Sequence, residues 1–394
     1  MTVSAPAGTR GRSSRRRGID SPRVLVVTND FPPRVGGVQQ YVWNLVRHLP
    51  ADRVAVVAPN WPGWREHDRA QHFPVHRWPS SFLWPTPDLA RRVRTLAEDH
   101  HAEVVLFGHG FPLPLLAPAL RARGVPSVVL THGAEVWMAR SPVVSAAMRR
   151  GFAAAREVTA VSRYTARALR PLVPRTVSFS LLPPAIDAER FSPSIDGAAV
   201  RRRYAIDDAP SVLCVSRLVP RKGQDTLIRG VGLLRTLVPG AVLVIVGDGP
   251  YRSRLEALAG EAPQESVIFA GEVSYDELPA HYSACDLFAM PCRSRWAGLE
   301  VEGFGIVFLE AAGAGKAVVV GRSGGAEESV EDEATGLLVE GHEPKAVALA
   351  VSNLLRDPDR RTRMGTAGRA RVEGGFTWEV RARQLAEILS RAGE

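Results

Sequence analysis

Short β-branched runs alternate with helical stretches along almost the whole of this chain, and that alternation leaves few folds open. Val24–Thr28, Val54–Ala58, Val104–Phe107 and Ser127–Thr131 are long enough for strands and too short for helices. Amphipathic helical patterns fall between them, as at Val38–Leu49 and Asp88–Glu98. Strands joined through helices run parallel, and unbroken apolar strands belong to a sheet covered on both faces. After a Pro-rich link at Leu182–Ala185 the alternation restarts with Ser211–Val215, Ala241–Val246, Val267–Phe269, Leu287–Met290 and Ala317–Val320. At 394 residues the chain is too long for one ordinary core. The pattern predicts two doubly wound α/β domains, residues 22–190 and 191–375, facing across a cleft. Phe376-Thr377-Trp378 opens a last segment, 376–394, with an amphipathic helix placed to pack back on the first domain.

The net charge of +9 is unevenly spread. Residues 1–190 hold 26 Arg, no Lys and 13 Asp plus Glu, a net +13, which leaves −4 for the rest. Arg10, Arg12, Arg15, Arg16 and Arg17 crowd a tail of 21 residues rich in Ser, Gly and Pro, which reads as disordered. The apolar run after it, Val24–Val27, is too short for a signal segment, and no stretch approaches the roughly 20 apolar residues of a membrane span. A cytoplasmic protein is expected. Cys214, Cys285 and Cys292 have no metal-ligand spacing and read as buried apolar side chains.

The chemistry sits where strands end. Glu302 and Glu310, with seven residues between them, bracket Gly303 and Gly305 at the start of a helix. The glycines admit a ligand against backbone, and the amides near Ile306 and Val307 are placed to receive an anion. Carboxylates accept hydrogen bonds from vicinal hydroxyls, so the pattern suits a sugar diphosphate. Arg217, Arg221 and Lys222 leave the sheet on one loop, and Arg217 with Lys222 could converge on a phosphate. Asn29–Gln39, with Asp30, Gly36, Gly37 and Gln39, forms a Pro-stiffened, Gly-containing turn into a helix; His132 ends a strand at the cleft. Gly247-Asp248-Gly249-Pro250 lacks the third glycine of a dinucleotide fingerprint. Asp357-Pro358-Asp359 belongs to a helix end and reads as a cap or turn, so no metal is called for.

Taken together, Glu302-x7-Glu310, Arg217 with Lys222, His132 and the Gly36-Gly37 loop resemble the retaining glycosyltransferases of family 4, with two Rossmann-like domains in the GT-B arrangement. The resemblance covers nearly all the chain after the tail. More narrowly, Asn29–Gln39, Ser216–Asp225, Ala289–Cys292 and Val301–Ala311 resemble actinobacterial GDP-mannose-dependent phosphatidylinositol mannoside mannosyltransferases. The resemblance implies an acceptor-binding first domain, with Asp30, Gly36 and Gln39 toward the acceptor, and a second domain that binds the nucleotide sugar. It implies that Arg217 and Lys222 bind the diphosphate with the amides of Gly305, Ile306 and Val307, and that Glu302 holds the transferred sugar and Glu310 the ribose. The base would rest near Val273, Gly37 would face the donor, and His132 would touch the donor sugar. The implied reaction needs no nucleophilic carboxylate and no cofactor: a phosphate oxygen takes the proton of the acceptor hydroxyl. One departure stands out. The subfamily commonly has His-Gly-His-Glu where this chain has His132-Gly133-Ala134-Glu135, followed by Trp137.

The basic first domain also holds six of the eight tryptophans, Trp43, Trp61, Trp64, Trp78, Trp84 and Trp137. Ser81–Trp84 followed by Arg91, Arg92 and Arg94 combines an apolar tip with cations, as an interfacial anchor does. An anionic lipid acceptor at the inner face of the plasma membrane would give both features a reason. Three other readings stay open: a family 4 transferase using a UDP-sugar and a soluble cyclitol or natural product, a related epimerase, and a basic nucleic-acid-binding protein. No aromatic-interleaved recognition motif supports the last, so no specific nucleic-acid partner is expected.

Overall fold

The structure is a computed structural model that describes residues 19–34, 36–296 and 298–394. The Arg-rich tail therefore lies, up to residue 18, outside the described residues. Seven strands form the first sheet: β1 Val24–Val27, β2 Val54–Pro59, β3 Val75–Trp78, β4 Val104–Phe107, β5 Ser127–Thr131, β6 Glu157–Ala160 and β7 Ser178–Leu181. Their order is β3-β2-β1-β4-β5-β6-β7, every ladder parallel. Six more, β8 Ser211–Val215, β9 Val242–Val246, β10 Val267–Gly271, β11 Leu287–Met290, β12 Val318–Gly321 and β13 Gly336–Val339, form a second parallel sheet in the order β10-β9-β8-β11-β12-β13. Both are doubly wound, and in each the direction of winding reverses once, between β1 and β4 and between β8 and β11. Ligands of such sheets collect outside the carboxyl ends of the strands at that reversal.

The central strands β1, β4 and β8 are buried throughout, which is why their unbroken apolar runs were legible. Four strands escaped the pattern. β3 and β7 are edge strands, only partly buried, and β3 carries Arg77 inside it. That guanidinium binds Asp68 at 2.7 Å and the carbonyls of Pro59 and Pro32, so it ties β2 to the loop after β1. β6 opens on Glu157, a buried carboxylate satisfied by Ser180 of β7 and by Arg391. β13 is one of the second sheet's two edges, opposite β10.

The chain crosses between the domains twice, side by side: Ile186 donates its amide to Phe376 O at 2.9 Å, and Ile186 bridges Thr377. The last helix, Trp378–Gly393, then lies on the first domain, where Trp378, Leu385, Ile388 and Leu389 share a core with Val24, Val42 and Val104. Leu83 belongs to the core of the opposite face of that sheet, which corrects its reading as part of an apolar tip: its amide and carbonyl grip the Asn29 side chain. Trp84 beside it remains 59% exposed. The three cysteines are buried and free, as their spacing suggested, and Asp357 caps the helix Pro358–Gly375 by accepting from Arg360 N.

Because Leu385 is fully buried between the last helix and the first sheet, Leu385→Ala should cost about 2–5 kcal/mol. Urea denaturation followed by tryptophan fluorescence measures this; a change below about 0.5 kcal/mol would mean that the helix adds little to the first domain.

Candidate active site

Two loops meet at the reversal point of the second sheet. The loop after β8 ends in a single 3₁₀ turn, Pro220–Lys222, that turns Lys222 inward. The loop after β11 returns Glu302 to the same place. Lys222 Nζ and Arg221 Nη1 each lie 2.7 Å from Glu302 Oε2, and the Lys222 and Glu302 side chains are 11% and 10% exposed. Burial alone would raise the Glu302 carboxyl, but Lys222 and Arg221 outweigh it and hold that group below the usual carboxylate range. The charges continue outward: Arg221 Nε lies 3.7 Å from Glu300 Oε1, and Arg295 Nη1 lies 2.8 Å from Glu300 Oε2. Arg217 is not part of this group. Its side chain is exposed, and its carbonyl accepts from Gln224 Nε2. The residue joined to Lys222 is thus Arg221, which the sequence reading counted among three cations without giving it a role.

Gly305, at φ +86°, turns the chain into the helix Ile306–Gly313, whose N-terminus no side chain caps. The amides of Ile306 and Val307 lie at that uncapped N-terminus, four and five residues after Glu302. The same glycine loop touches the first domain. A Cβ on Gly303 would fall 2.7 Å from His132 O, so only glycine allows the two loops to meet.

His132 sits at the end of β5, partly buried, its ring packed edge-on to Tyr41. Its Nε2 lies 2.8 Å from Gly108 O. A carbonyl can only accept, so Nε2 carries the proton and the neutral ring keeps a lone pair on Nδ1. Burial lowers the His132 pKa, against the pull of Glu135, and favours that neutral form. On the other side of the cleft's first-domain wall, Gln39 Nε2 donates to Asp30 Oδ1 at 2.7 Å, and Gly36 packs against the Gln39 amide. A Cβ on Gly37 would meet nothing within 4 Å, so packing does not require glycine there and the space beside it is open.

The described halves of the chain match two family models, "Glycosyltransferase Family 4" over residues 35–190 and "Glycosyl transferases group 1" over residues 198–371. A GDP-mannose-dependent alpha-(1-6)-phosphatidylinositol monomannoside mannosyltransferase of Mycobacterium tuberculosis is 46% identical over 376 residues, 93% of this chain and 98% of the relative. The chain belongs to the family 4 glycosyltransferases. The relative of the same description from Mycolicibacterium smegmatis is 45% identical over 93% of this chain and 98% of its own. A GDP-mannose-dependent monoacylated alpha-(1-6)-phosphatidylinositol monomannoside mannosyltransferase of Corynebacterium glutamicum is 39% identical over 94% of this chain and 98% of its own. Among solved structures, Anabaena Alr3699/HepE in complex with UDP superimposes with a TM-score of 0.81 at 22% identity, covering 94% of this chain and 100% of that one. The lipopolysaccharide glycosyltransferase WaaG gives 0.66 at 18%, covering 93% of this chain and 99% of its own. These likenesses establish the GT-B fold expected from the sequence.

In this glycosyltransferase Glu310, the fifth residue of the helix Ile306–Gly313, stands apart from the Glu302 cluster. It is buried, accepts from Tyr282 Oη at 2.8 Å, and has its carboxyl pushed up to about 7, by burial first, against the opposing effects of Tyr282 and Arg190. Val273 follows β10, partly buried at the edge of the second domain's core. Among the described residues no group of three or more His, Cys, Asp or Glu side chains is arranged around a metal position. Sequence reasoning overlooked Glu300 and Arg295, and also His109 and Glu135. The signals were there: Glu300 stands two residues before Glu302, and His109 lies between two glycines at a strand end.

Glu310 makes the transferase's stability depend on pH. A carboxyl whose pKa rises from 4.5 unfolded to about 7 folded binds its proton more tightly in the folded state. Its contribution is therefore full below about pH 4.5 and is lost as pH rises through about 7, up to about 3 kcal/mol. Without ligand, Glu310→Gln should gain on the wild type by that order between about pH 5 and pH 8 in urea denaturation. Parallel pH curves for the two proteins would contradict the assignment.

Proposed function

We propose that this enzyme transfers mannose from GDP-mannose, with retention of configuration, to a phosphatidylinositol mannoside-type lipid acceptor at the cytoplasmic face of the membrane. The observation that carries the proposal is the buried Glu302 carboxylate between Lys222 and Arg221, beside an uncapped helix N-terminus, in a chain 46% identical over 93% of its length to enzymes described by that donor and acceptor. In this reading the donor diphosphate takes up Lys222 and the amides of Gly305, Ile306 and Val307, with exposed Arg217 closing on it from the rim. Glu302, released in part from its cations, accepts hydrogen bonds from the sugar hydroxyls. Glu310 receives the ribose hydroxyls, and the base lies near Val273.

His132 offers a neutral Nδ1 to the sugar, and as the ring beside the leaving group becomes partly cationic, that lone pair and the Glu302 carboxylate favour it. Negative charge grows on the departing phosphate, where Lys222 and the helix amides already point. The acceptor hydroxyl attacks on the face the nucleotide leaves, the anomeric carbon–phosphate oxygen bond breaks, and the hydroxyl proton passes to a phosphate oxygen. Asp30, Gly36 and Gln39 lie on the acceptor side, and Gly37 on the donor side.

Purified enzyme given GDP-mannose and phosphatidylinositol monomannoside should release GDP and add one mannose to the lipid, with UDP-glucose giving no product. Lys222→Ala should lower kcat/KM by about 10²-fold, about 3 kcal/mol of transition-state stabilisation, and EDTA should leave the wild-type rate unchanged. Transfer from UDP-glucose alone, or a Lys222→Ala rate within about twofold of wild type, would displace this reading.

The lipid acceptor places the basic first domain at a membrane. Trp84, Trp137 and Val143 are 59%, 56% and 79% exposed there, whereas Trp43, Trp61 and Trp64 are each covered by an arginine at 4.3–4.9 Å from the ring centroid. Among the described residues no helix is long and apolar enough to cross a bilayer. Vesicles containing anionic phospholipid should bind the protein at low salt and release most of it as salt rises, and Trp84→Ser should weaken what remains bound. Equal binding to neutral and anionic vesicles would remove the electrostatic part of this assignment.

A further inference from the structure

Glu135 is fully buried and charged, and its oxygens are shared between two strand ends. Oε2 accepts the amides of His132 at 3.0 Å and Gly133 at 2.9 Å, after β5. Oε1 accepts the amide of Gly110 at 3.1 Å, after β4, and lies 3.2 Å from His109 Nδ1. Burial would raise the Glu135 carboxyl, yet His109, His132 and the backbone amides outweigh it and hold the group below the usual range. A neutral cap could satisfy loop amides without the cost of burying a charge. Three loop amides and the dipole of the His109 ring offset part of that cost.

His109 Nδ1 is itself buried and has no hydrogen-bond partner of good alignment among the described residues, so the Glu135 carboxylate is the acceptor within its reach. A carboxylate accepts only, which places the proton of the neutral ring on Nδ1 and leaves the lone pair on Nε2. The backbone on either side of this ring is closely packed. A Cβ on Gly108 would fall 2.4 Å from Thr28 Oγ1, and one on Gly110 would fall 2.7 Å from Glu135 Cγ.

The position matters as much as the geometry. β4 lies between β1 and β5, on one side of the reversal in the first sheet, where ligands of such sheets collect. The loop after β1 holds Asp30, paired with Gln39 of the helix that follows, and the loop after β5 holds His132, whose ring centroid is 5.5 Å from that of His109. His109 thus stands between the wall assigned to the acceptor and the residue assigned to the donor sugar.

We infer that His109 is an acceptor-binding residue whose Nε2 accepts a hydrogen bond from a hydroxyl of a polyol acceptor next to the attacking one, and that Glu135 is the positioning residue that aims it. This rests on the transferase reading above. Its test uses the intact enzyme with GDP-mannose and phosphatidylinositol monomannoside in mixed micelles, and calorimetric titration with GDP. His109→Ala should lower kcat/KM for the lipid by about tenfold or more while GDP affinity stays within about twofold of wild type and the melting temperature holds. His109→Gln, whose amide oxygen reaches toward the former Nε2 position, should recover part of that loss. Unchanged acceptor kinetics in both variants would overturn the assignment, and so would an equal loss of GDP affinity, because His109 would then serve the donor or the fold. If the wild type binds no GDP, the transferase reading falls and takes this one with it.

Discussion

A carboxylate removed from water needs positive partners, and Glu302 has two, Lys222 and Arg221, both at 2.7 Å. Much of the second domain's active face follows from that requirement. The two cations come from the loop after β8 and the carboxylate from the loop after β11, so the pair fastens together the two loops that flank the reversal of the sheet. The uncapped helix Ile306–Gly313 starts four residues beyond Glu302, so the contact also fixes the approach of the chain to that helix. In the proposed reaction the arrangement is an exchange. The donor's diphosphate competes with Glu302 for Lys222, and its sugar hydroxyls replace the cation that Glu302 gives up.

The exchange needs a second wall at a fixed distance, and the domain interface supplies it. Gly303 meets the His132 carbonyl so closely that no side chain fits between. Nearby, Glu328 of the second domain accepts the amides of Arg163 and Tyr164, each at 2.9 Å, at the start of a first-domain helix. Those amides are orphan donors of a helix N-terminus, and a carboxylate from the other domain satisfies them. The last helix adds an apolar contact on the far side, next to the paired crossings at Ile186 and Thr377.

The fold was legible where burial made the sequence monotonous. β1, β4 and β8 read as strands because both faces are covered, while β3 with Arg77, β6 with Glu157 and the edge strand β7 carry polar residues whose partners lie far along the chain. Omission of β3 also made His132 look like the end of a fourth strand when it ends the fifth. Of the ionic cluster, Glu302 and Lys222 had been singled out from residue type and spacing. Arg221 was not separable from Arg217, because a one-dimensional charge run does not say which guanidinium turns inward. His109 was hidden more deeply. Its meaning depends on Glu135, twenty-six residues later, being folded beneath it with no exposure at all.

Whether Glu302 is a sugar ligand or only a counterion is decided by calorimetric titration of wild type and Glu302→Gln with GDP and, separately, with GDP-mannose. The partner-exchange account predicts that the variant binds GDP as tightly as wild type or more tightly, since Lys222 and Arg221 are freed, but loses the extra affinity that the mannosyl group confers. Equal weakening toward both ligands would contradict it, for Glu302 would then do no more than hold the cations in place.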